Sequence, residues 1–191
     1  FFQQHCWGEV IEVEDDLPPK RKEKSQAWRR IDADWLDSSE ALALQLDSAT
    51  NNTCLVLALE LANGDVLLFA ADAQVGNWLS WQDLKWKVEG KEVTGPDLLE
   101  RTIFYKVGHH GSHNATLREL GLEKMTKLKM AFVPVDKKMA VKKRWNAMPL
   151  NSLMKRLNEK TKECVVRIDA DAPAKLKKSM ESEELFHEVI L

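Results

Sequence analysis

Two apolar segments joined by a turn decide the fold of this chain: TCLVLALELANGDVLLFA, residues 53–70. Asn63-Gly64 is a strong signal for a tight β-hairpin, because the favoured hairpin turns need residues that accept positive φ angles. The segments on both sides have a strand-like apolar composition. Because they are apolar almost throughout and do not alternate with polar residues, we predict a hairpin within a sheet that is covered on both faces.

Strand-like and helix-like segments alternate after this hairpin. Trp78, Trp81 and Trp86 lie in a helical stretch and are predicted to form a packing face, and Pro96-Asp97 is a typical helix start. Further strands are predicted in TIFYKV, KMAFVPV and CVVRI, and further helices in ATLRELGLEKM and from Pro149 to about Lys160, with a basic loop before the latter helix. This alternation predicts an α/β fold with a mixed sheet and flanking helices.

Residues 1–44 are predicted to form a separate N-terminal part, and residues 45–191 the main domain. The first part contains a candidate strand, VIEVED, an exposed basic loop, DLPPKRKEKSQAWRR, and a short helix that begins near Asp37. The chain starts with Phe and has neither the charge order nor the cleavage site of a signal peptide. We therefore expect it to begin inside a longer protein.

The composition limits the class of protein. A hydrophobic fraction of 44% and a charged fraction of 30% are typical of globular domains, and a net charge of −2 gives no overall attraction to nucleic acid. No apolar run approaches the roughly 20 residues of a membrane helix. Cys6, Cys54 and Cys164 are far apart and odd in number, which predicts reduced thiols and a cytoplasmic location.

Metal-capable side chains follow two of the predicted strands. Asp72 comes directly after the second hairpin strand, and the run GHHGSH at 108–113 comes after TIFYKV. Ligands of α/β sheets bind at the carboxyl ends of strands. Neutral imidazole is a good ligand for zinc, manganese or iron, and the glycines let the backbone approach a neighbouring group closely.

Both features also have structural interpretations. Asp72 alone is typical of a residue that caps the next helix. The histidine run is also compatible with a solvated loop in which one histidine caps the following helix, and Ser112 is a candidate N-cap for that helix. The spacing from His109 to His113 is i, i+4, but the intervening Gly111 argues against a metal-binding helix, and the run is not a zincin motif.

The order NNTCLVLALELANGDVLLFAADA, IFYKVGHHGSHNAT and AFVPVD resembles the C-terminal half of the metallo-β-lactamase superfamily, in the branch that includes the hydrolase domain of the competence protein ComEC. The resemblance covers residues 45–170, and KVGHHGS at 106–112 is its most specific part. It implies the C-terminal half of an αβ/βα sandwich. It also implies a metal-dependent hydrolase that attacks a phosphodiester, or another ester or amide, with metal-bound hydroxide.

The resemblance implies a role for each site residue. Asp72 occupies the position of the carboxylate that bridges two metal ions, zinc or manganese, and His109 that of a histidine ligand to the second ion. His110 is then a second catalytic candidate that contacts substrate or supports the ligands, although the sequence leaves open which of the two histidines binds metal. Candidate substrate contacts are Ser112, His113, Lys142 and Arg144.

The chain departs from the family pattern in its ligand set. The main His-x-His-x-Asp-His motif is absent, and His5 is the only histidine before His109. Ala71 stands where the family often has Gly, and Met148 stands where a later histidine occurs. The expected partner is therefore the N-terminal half of the same protein, which would supply the missing ligands. The alternative is a non-catalytic binding or scaffolding module that retains the fold.

The basic segment from Lys137 to Arg144 precedes Trp145. Cationic side chains beside an aromatic ring are typical of surfaces that bind single-stranded nucleic acid or phosphate. The simpler interpretation is a solvated loop, which the overall charge of −2 favours. A nucleic acid or phosphodiester substrate is thus a prediction that follows from the resemblance and this segment together.

Overall fold

The structure is a computed structural model that describes residue 51 and residues 53–143, 145, 148–177, 179–182 and 187–189. The predicted N-terminal strand, basic loop and short helix of residues 1–44 lie outside the described residues, as do Cys6 and Arg144. Cys54 and Cys164 are both free thiols and both half-buried. Within the described ranges no helix is long and apolar enough to cross a membrane.

The predicted hairpin is confirmed. Strands β1 (Leu57–Glu60) and β2 (Val66–Phe69) pair in antiparallel register, with Leu57 opposite Phe69. Gly64 has a φ of 81°, which glycine adopts without strain. The side-chain amide of Asn63 stabilises the turn through two hydrogen bonds to Asp65. Its oxygen accepts from the Asp65 N–H at 3.0 Å, and its nitrogen donates to the Asp65 carboxylate at 2.9 Å.

Three further strands extend the sheet from β2. They are β5 (Thr102–Lys106), β6 (Met130–Val133) and β7 (Val165–Arg167), and each runs parallel to its neighbour in the order β1-β2-β5-β6-β7. The predicted strands TIFYKV, KMAFVPV and CVVRI are therefore confirmed. The fold is mixed α/β, with a mostly parallel central sheet and helices, as the alternating pattern predicted.

The Trp-rich stretch forms a helix over only part of its length. Helix α1 (Val75–Ser80) continues into a 3-10 turn (Trp81–Asp83), and a small hairpin of β3 (Lys85–Val88) and β4 (Lys91–Thr94) follows. Trp78 is fully buried, whereas Trp86 lies on β3 and is 42% exposed. The predicted packing face of three tryptophans is thus confirmed for Trp78 and wrong for Trp86.

Two other helices begin where the sequence predicted them. Helix α2 (Gly95–Glu100) starts with a capping box in which Thr94 Oγ1 accepts from the Asp97 N–H at 3.2 Å and Asp97 accepts from the Thr94 N–H at 2.9 Å. The long helix α4 (Asn151–Thr161) follows Pro149 and packs against β6 and β7. A short antiparallel pair, β8 (Met180–Ser182) and β9 (His187–Val189), completes the described elements.

The helix predicted in ATLRELGLEKM is wrong. That segment forms turns and a single 3-10 turn (Leu122–Lys124), because some of its carbonyl groups accept hydrogen bonds from side chains of another segment. The Ala115 carbonyl accepts from the Trp78 indole at 3.0 Å, and the Leu120 carbonyl accepts from the Gln82 amide at 2.9 Å. Ser112 consequently has no helix to cap.

The predicted basic loop is also wrong. It begins as helix α3 (Lys137–Lys142), whose N-cap Asp136 accepts from the Met139 N–H at 3.0 Å. A carboxylate at this position satisfies one of the free N–H groups of the first turn. The lysines therefore lie on a short helix directly after β6, and α3 buries only Ala140.

The covered hairpin expected from the apolar composition is confirmed for β2 and wrong for β1. Val66 and Leu68 of β2 are buried, whereas all four residues of β1 are exposed. Because β1 is the edge strand of the described sheet, Leu57 and Leu59 remain 42% and 46% exposed. Apolar composition alone does not separate a central strand from an edge strand.

The main core lies between the sheet and the helices α1, α2 and α4. Its centre contains the fully buried side chains of Trp78, Tyr105, Leu117, Leu153 and Leu157. Outside the sheet, the Arg156 guanidinium of α4 binds the Glu123 carboxylate through two bonds of 2.7 Å. This pair fixes α4 to the segment that follows the histidine run.

Candidate functional site

Asp72 and His109 follow neighbouring parallel strands. Phe69 at the end of β2 pairs with Lys106 at the end of β5, so both chains leave the sheet at the same edge. Just beyond this edge the His109 N–H donates to the Ala71 carbonyl at 2.8 Å. The segments that carry the two predicted metal ligands are therefore in direct backbone contact.

The backbone on both sides of this contact has unusual φ angles. Ala71 has a φ of 45°, His109 of 42° and His110 of 53°, followed by Gly111 at 70°. A non-glycine residue in this left-handed region costs about 1–3 kcal/mol and persists where the surrounding structure imposes it, often at functional sites. Ala71 thus adopts a conformation that glycine adopts more easily.

Gly108 lets the two segments approach each other. A Cβ atom added at this glycine would lie 2.6 Å from the Ala71 carbonyl oxygen, which is closer than real contacts allow. The absence of a side chain at this position is therefore a condition of the Ala71–His109 hydrogen bond. This is the close approach that the glycines of GHHGSH predicted.

We expect Gly108→Ala to separate the two strand ends. Overpacking of this kind typically costs about 1–3 kcal/mol, and the His109 amide proton should exchange with solvent faster because its bond to Ala71 is lost. Hydrogen exchange followed by NMR measures this effect. Gly76→Ala is the control, because a Cβ at Gly76 meets nothing within 4 Å. An unchanged His109 exchange rate in Gly108→Ala would contradict the contact.

The imidazole of His109 has polar neighbours at both of its nitrogens. Nδ1 lies 3.1 Å from Asn114 Oδ1 and 3.0 Å from Ser112 Oγ, and Nε2 lies 3.5 Å from Asn51 Nδ2. The distance to Asn51 is at the outer limit of a hydrogen bond. The ring is half-buried, which leaves it accessible to a ligand.

His110 and His113 point elsewhere. His110 is exposed and its Nδ1–H donates to the Pro134 carbonyl, just beyond β6, at 2.9 Å. The loop after β5 is thus bound to the end of β2 through His109 and to the end of β6 through His110. His113 is exposed. Which of the two adjacent histidines binds a metal stays a prediction.

The structure excludes the capping interpretations of the candidate ligands. The N-cap of α1 is Gln74, two residues after Asp72, and its N–H donates to the Asn77 side chain at 3.0 Å. No α-helix follows the histidine run in the described segment up to β6. Asp72 is half-exposed at the strand end, so its carboxylate can reach a ligand.

The predicted substrate contacts differ in their exposure. Ser112 is buried, with 2% of its surface exposed, and its hydroxyl faces His109 and donates to Asn114 at 2.8 Å. Lys142 is exposed in the last turn of α3, and Trp145 shortly after it is 51% exposed. Arg144 lies outside the described residues. Because α3 follows β6, Lys142 belongs to the element next to the loop that carries His110.

Tyr105 lies behind the site and has a structural role. It is fully buried in β5, its hydroxyl pairs with Thr116 Oγ1 at 2.8 Å, and its ring meets Trp78 edge to face at 6.0 Å. Removal from water raises the pKa of Tyr105 far above the usual value for a phenol. The phenol therefore stays protonated, and its hydrogen bond to Thr116 connects β5 to the segment after the histidine run.

Asn51 and Asn114 are the site residues that sequence reasoning missed. Asn114 follows the histidine run directly in HNAT, and its position beside three histidines was the available signal. The sequence contains no signal for Asn51, because this residue is 58 positions from His109. Met148 packs against the main core as a half-buried apolar side chain.

Within the described ranges, no group of three or more His, Cys, Asp or Glu side chains could hold a metal ion. Asp72 and His109 would provide two donors of the right chemistry, a carboxylate and an imidazole. No family model, curated protein or solved structure matches this chain.

Proposed function

We propose that this chain is the C-terminal half of a metallo-β-lactamase-like domain and contributes to a metal-dependent hydrolase of the ComEC-like branch. The observation that carries the proposal is the contact between the segments of Asp72 and His109, joined by the 2.8 Å bond from the His109 N–H to the Ala71 carbonyl. The neighbouring strands β2 and β5 end at the same edge of the sheet, and Asp72 and His109 follow these two ends.

The local chemistry supports a site for a divalent cation. Carboxylate oxygen and imidazole nitrogen both suit zinc and manganese. Left-handed φ angles at Ala71, His109 and His110 supply a second line of support, because such strain concentrates at functional positions. Bound zinc or manganese would supply Lewis acidity and lower the pKa of water. Asp72 and His109 would hold the cation, and the adjacent His110 is the second catalytic candidate in the same loop.

Two donors are fewer than the four that a zinc ion usually takes. The proposal therefore includes further ligands outside the described residues, supplied by the N-terminal half of the same protein. The substrate we propose is a phosphodiester, or another ester or amide. The lysines of α3 and the ring of Trp145 are exposed and follow β6 in the chain, which favours a polyanion among these substrates.

Isothermal titration of zinc or manganese into the 191-residue chain tests the half-site. We expect weak binding, because the ligand set is incomplete, and we expect Asp72→Asn and His109→Gln each to weaken it further. His113→Gln is the matched control, since His113 lies in the same loop and is exposed. A tight two-metal site in this chain alone would overturn the half-site proposal. Equal binding by all three variants would favour the non-catalytic module.

A further inference from the structure

The hydrogen atoms around His109 can be assigned from its neighbours. Asn114 Oδ1 is a carbonyl oxygen and only accepts. Ser112 has one hydroxyl hydrogen, which it donates to Asn114 Oδ1 at 2.8 Å. The ring therefore has to supply the hydrogen for its own contacts with Asn114 at 3.1 Å and with Ser112 at 3.0 Å.

We infer that Asn114 and Ser112 are positioning residues that hold His109 in one neutral tautomer, with the proton on Nδ1 and the lone pair on Nε2. The Nδ1–H is shared between the two oxygen acceptors. Nε2 then lies 3.5 Å from the Asn51 amide nitrogen, which can only donate. The contacts at both nitrogens agree with the same tautomer.

The residues around this network are buried in the core or hydrogen-bonded to neighbouring segments. Ser112 is 2% exposed. The residue after Asn114, Ala115, is fully buried, and its carbonyl accepts from the Trp78 indole at 3.0 Å. The Gly111 carbonyl accepts from the Leu150 N–H at 2.9 Å. The acceptors of the Nδ1–H are thus fixed by the core and not by solvent.

The tautomer decides which atom of His109 can bind a cation. A histidine ligand commonly donates its other ring N–H to an oxygen, which fixes the ring and raises its basicity. With the proton on Nδ1, the lone pair on Nε2 is the donor. The role of Nε2 as a metal ligand rests on the proposed function, whereas the assignment of the tautomer does not.

The tautomer can be measured without any metal. Ring ¹⁵N shifts of the ¹⁵N-histidine-labelled full chain, at about pH 8 where histidine is neutral, report which nitrogen carries the proton, with His109→Gln to assign the signal. We expect a protonated Nδ1 and an unprotonated Nε2 for His109. The opposite tautomer, which the reversed amide orientations at Asn51 and Asn114 would produce, overturns the inference.

Substitution of Asn114 tests the positioning role. Asn114→Ala removes an acceptor and should shift the His109 ring signals toward a mixture of tautomers, whereas Asn114→Asp keeps an acceptor and should retain the Nδ1–H form. His110 is the internal comparison, because its Nδ1–H donates to the Pro134 carbonyl and should be unaffected. Unchanged His109 signals in folded Asn114→Ala would overturn the role of Asn114.

A zinc titration of the same samples separates this inference from the proposed function. We expect zinc to shift Nε2 of His109, and Asn114→Ala to weaken that binding by about 10–100-fold, as is usual for the partner of a metal-binding histidine. If the Nδ1–H tautomer is present and zinc leaves Nε2 unchanged, the positioning role is supported and the metal site is overturned. If zinc shifts Nδ1 instead, the positioning role is overturned and the metal site is supported.

Discussion

Under the proposed function, Asp72→Ala is expected to lower kcat for a phosphodiester by several orders of magnitude in a protein that combines this chain with the proposed ligand-bearing N-terminal half. A bound metal ion lowers the pKa of water to about 7, and this gain would be lost with Asp72, the carboxylate proposed to hold the ions. The fold should survive, because Asp72 is half-exposed after β2 and the N-cap of α1 is Gln74.

The comparison requires metal content and turnover for each variant. Asp171→Ala is the matched control, because it removes an exposed carboxylate from the loop after another parallel strand, β7. We expect Asp171→Ala to retain both metal and activity. Near-normal turnover and metal occupancy in Asp72→Ala would leave Asp72 without a catalytic role and favour the binding-module alternative.

Trp78→Ala is expected to destabilise the domain by about 3–5 kcal/mol, as removal of a large aromatic side chain from a core usually does. The side chain is fully buried and contacts Trp81 and Tyr105, with ring centroids 4.5 Å and 6.0 Å away. Its indole N–H also satisfies the Ala115 carbonyl. Urea unfolding followed by circular dichroism measures the loss.

Two further variants divide this effect into its causes. Trp78→Phe keeps a ring but leaves the Ala115 carbonyl without the indole N–H, which costs about 1–3 kcal/mol for a buried acceptor. Trp86→Ala removes a 42% exposed ring and should cost much less than Trp78→Ala. Equal losses in Trp78→Ala and Trp86→Ala would contradict the packing described for α1.

The features that the sequence predicted correctly depend on local chemistry. The Asn63-Gly64 turn and the helix start at Pro96-Asp97 follow from residues close together in the chain. The strands TIFYKV, KMAFVPV and CVVRI follow from their own apolar composition. β1 shows the limit of this reasoning. Its composition matches that of a central strand, but its position at the edge of the described sheet depends on which strands pair with it.

The incorrect helix in ATLRELGLEKM has a tertiary cause. Its residues favour a helix locally, but the indole of Trp78 and the amide of Gln82 take the carbonyls of Ala115 and Leu120. Propensity is a weak preference that such contacts override. The prediction of a basic loop was wrong for a local reason. Asp136 is an N-cap and signals a helix start, but the lysines that follow it were interpreted as a solvated loop.

The part of the candidate site that could be predicted from the sequence is the part that directly follows the predicted strands. Asp72 and the histidine run each follow an apolar strand, so their meeting at one sheet edge could be expected. Asn51 could not be predicted as a partner of the His109 ring, because it is 58 positions away in sequence. Asn114 directly follows the histidine run and could have been considered as a partner. The left-handed φ angle of Ala71, whose carbonyl oxygen lies close to Gly108, was likewise not predicted.

The parallel order of the sheet sets the sequence in which its parts can assemble. β1 and β2 join through a short turn, whereas Val66 of β2 pairs with Thr102 of β5, and Lys106 pairs with Phe132 of β6. Long loops lose more entropy on closure, and distant pairings slow folding. The hairpin can therefore form early during synthesis, while the edge that joins Asp72 to His109 forms only after β5 has emerged and docked. A nascent or truncated chain that ends before β5 would contain the hairpin and no site.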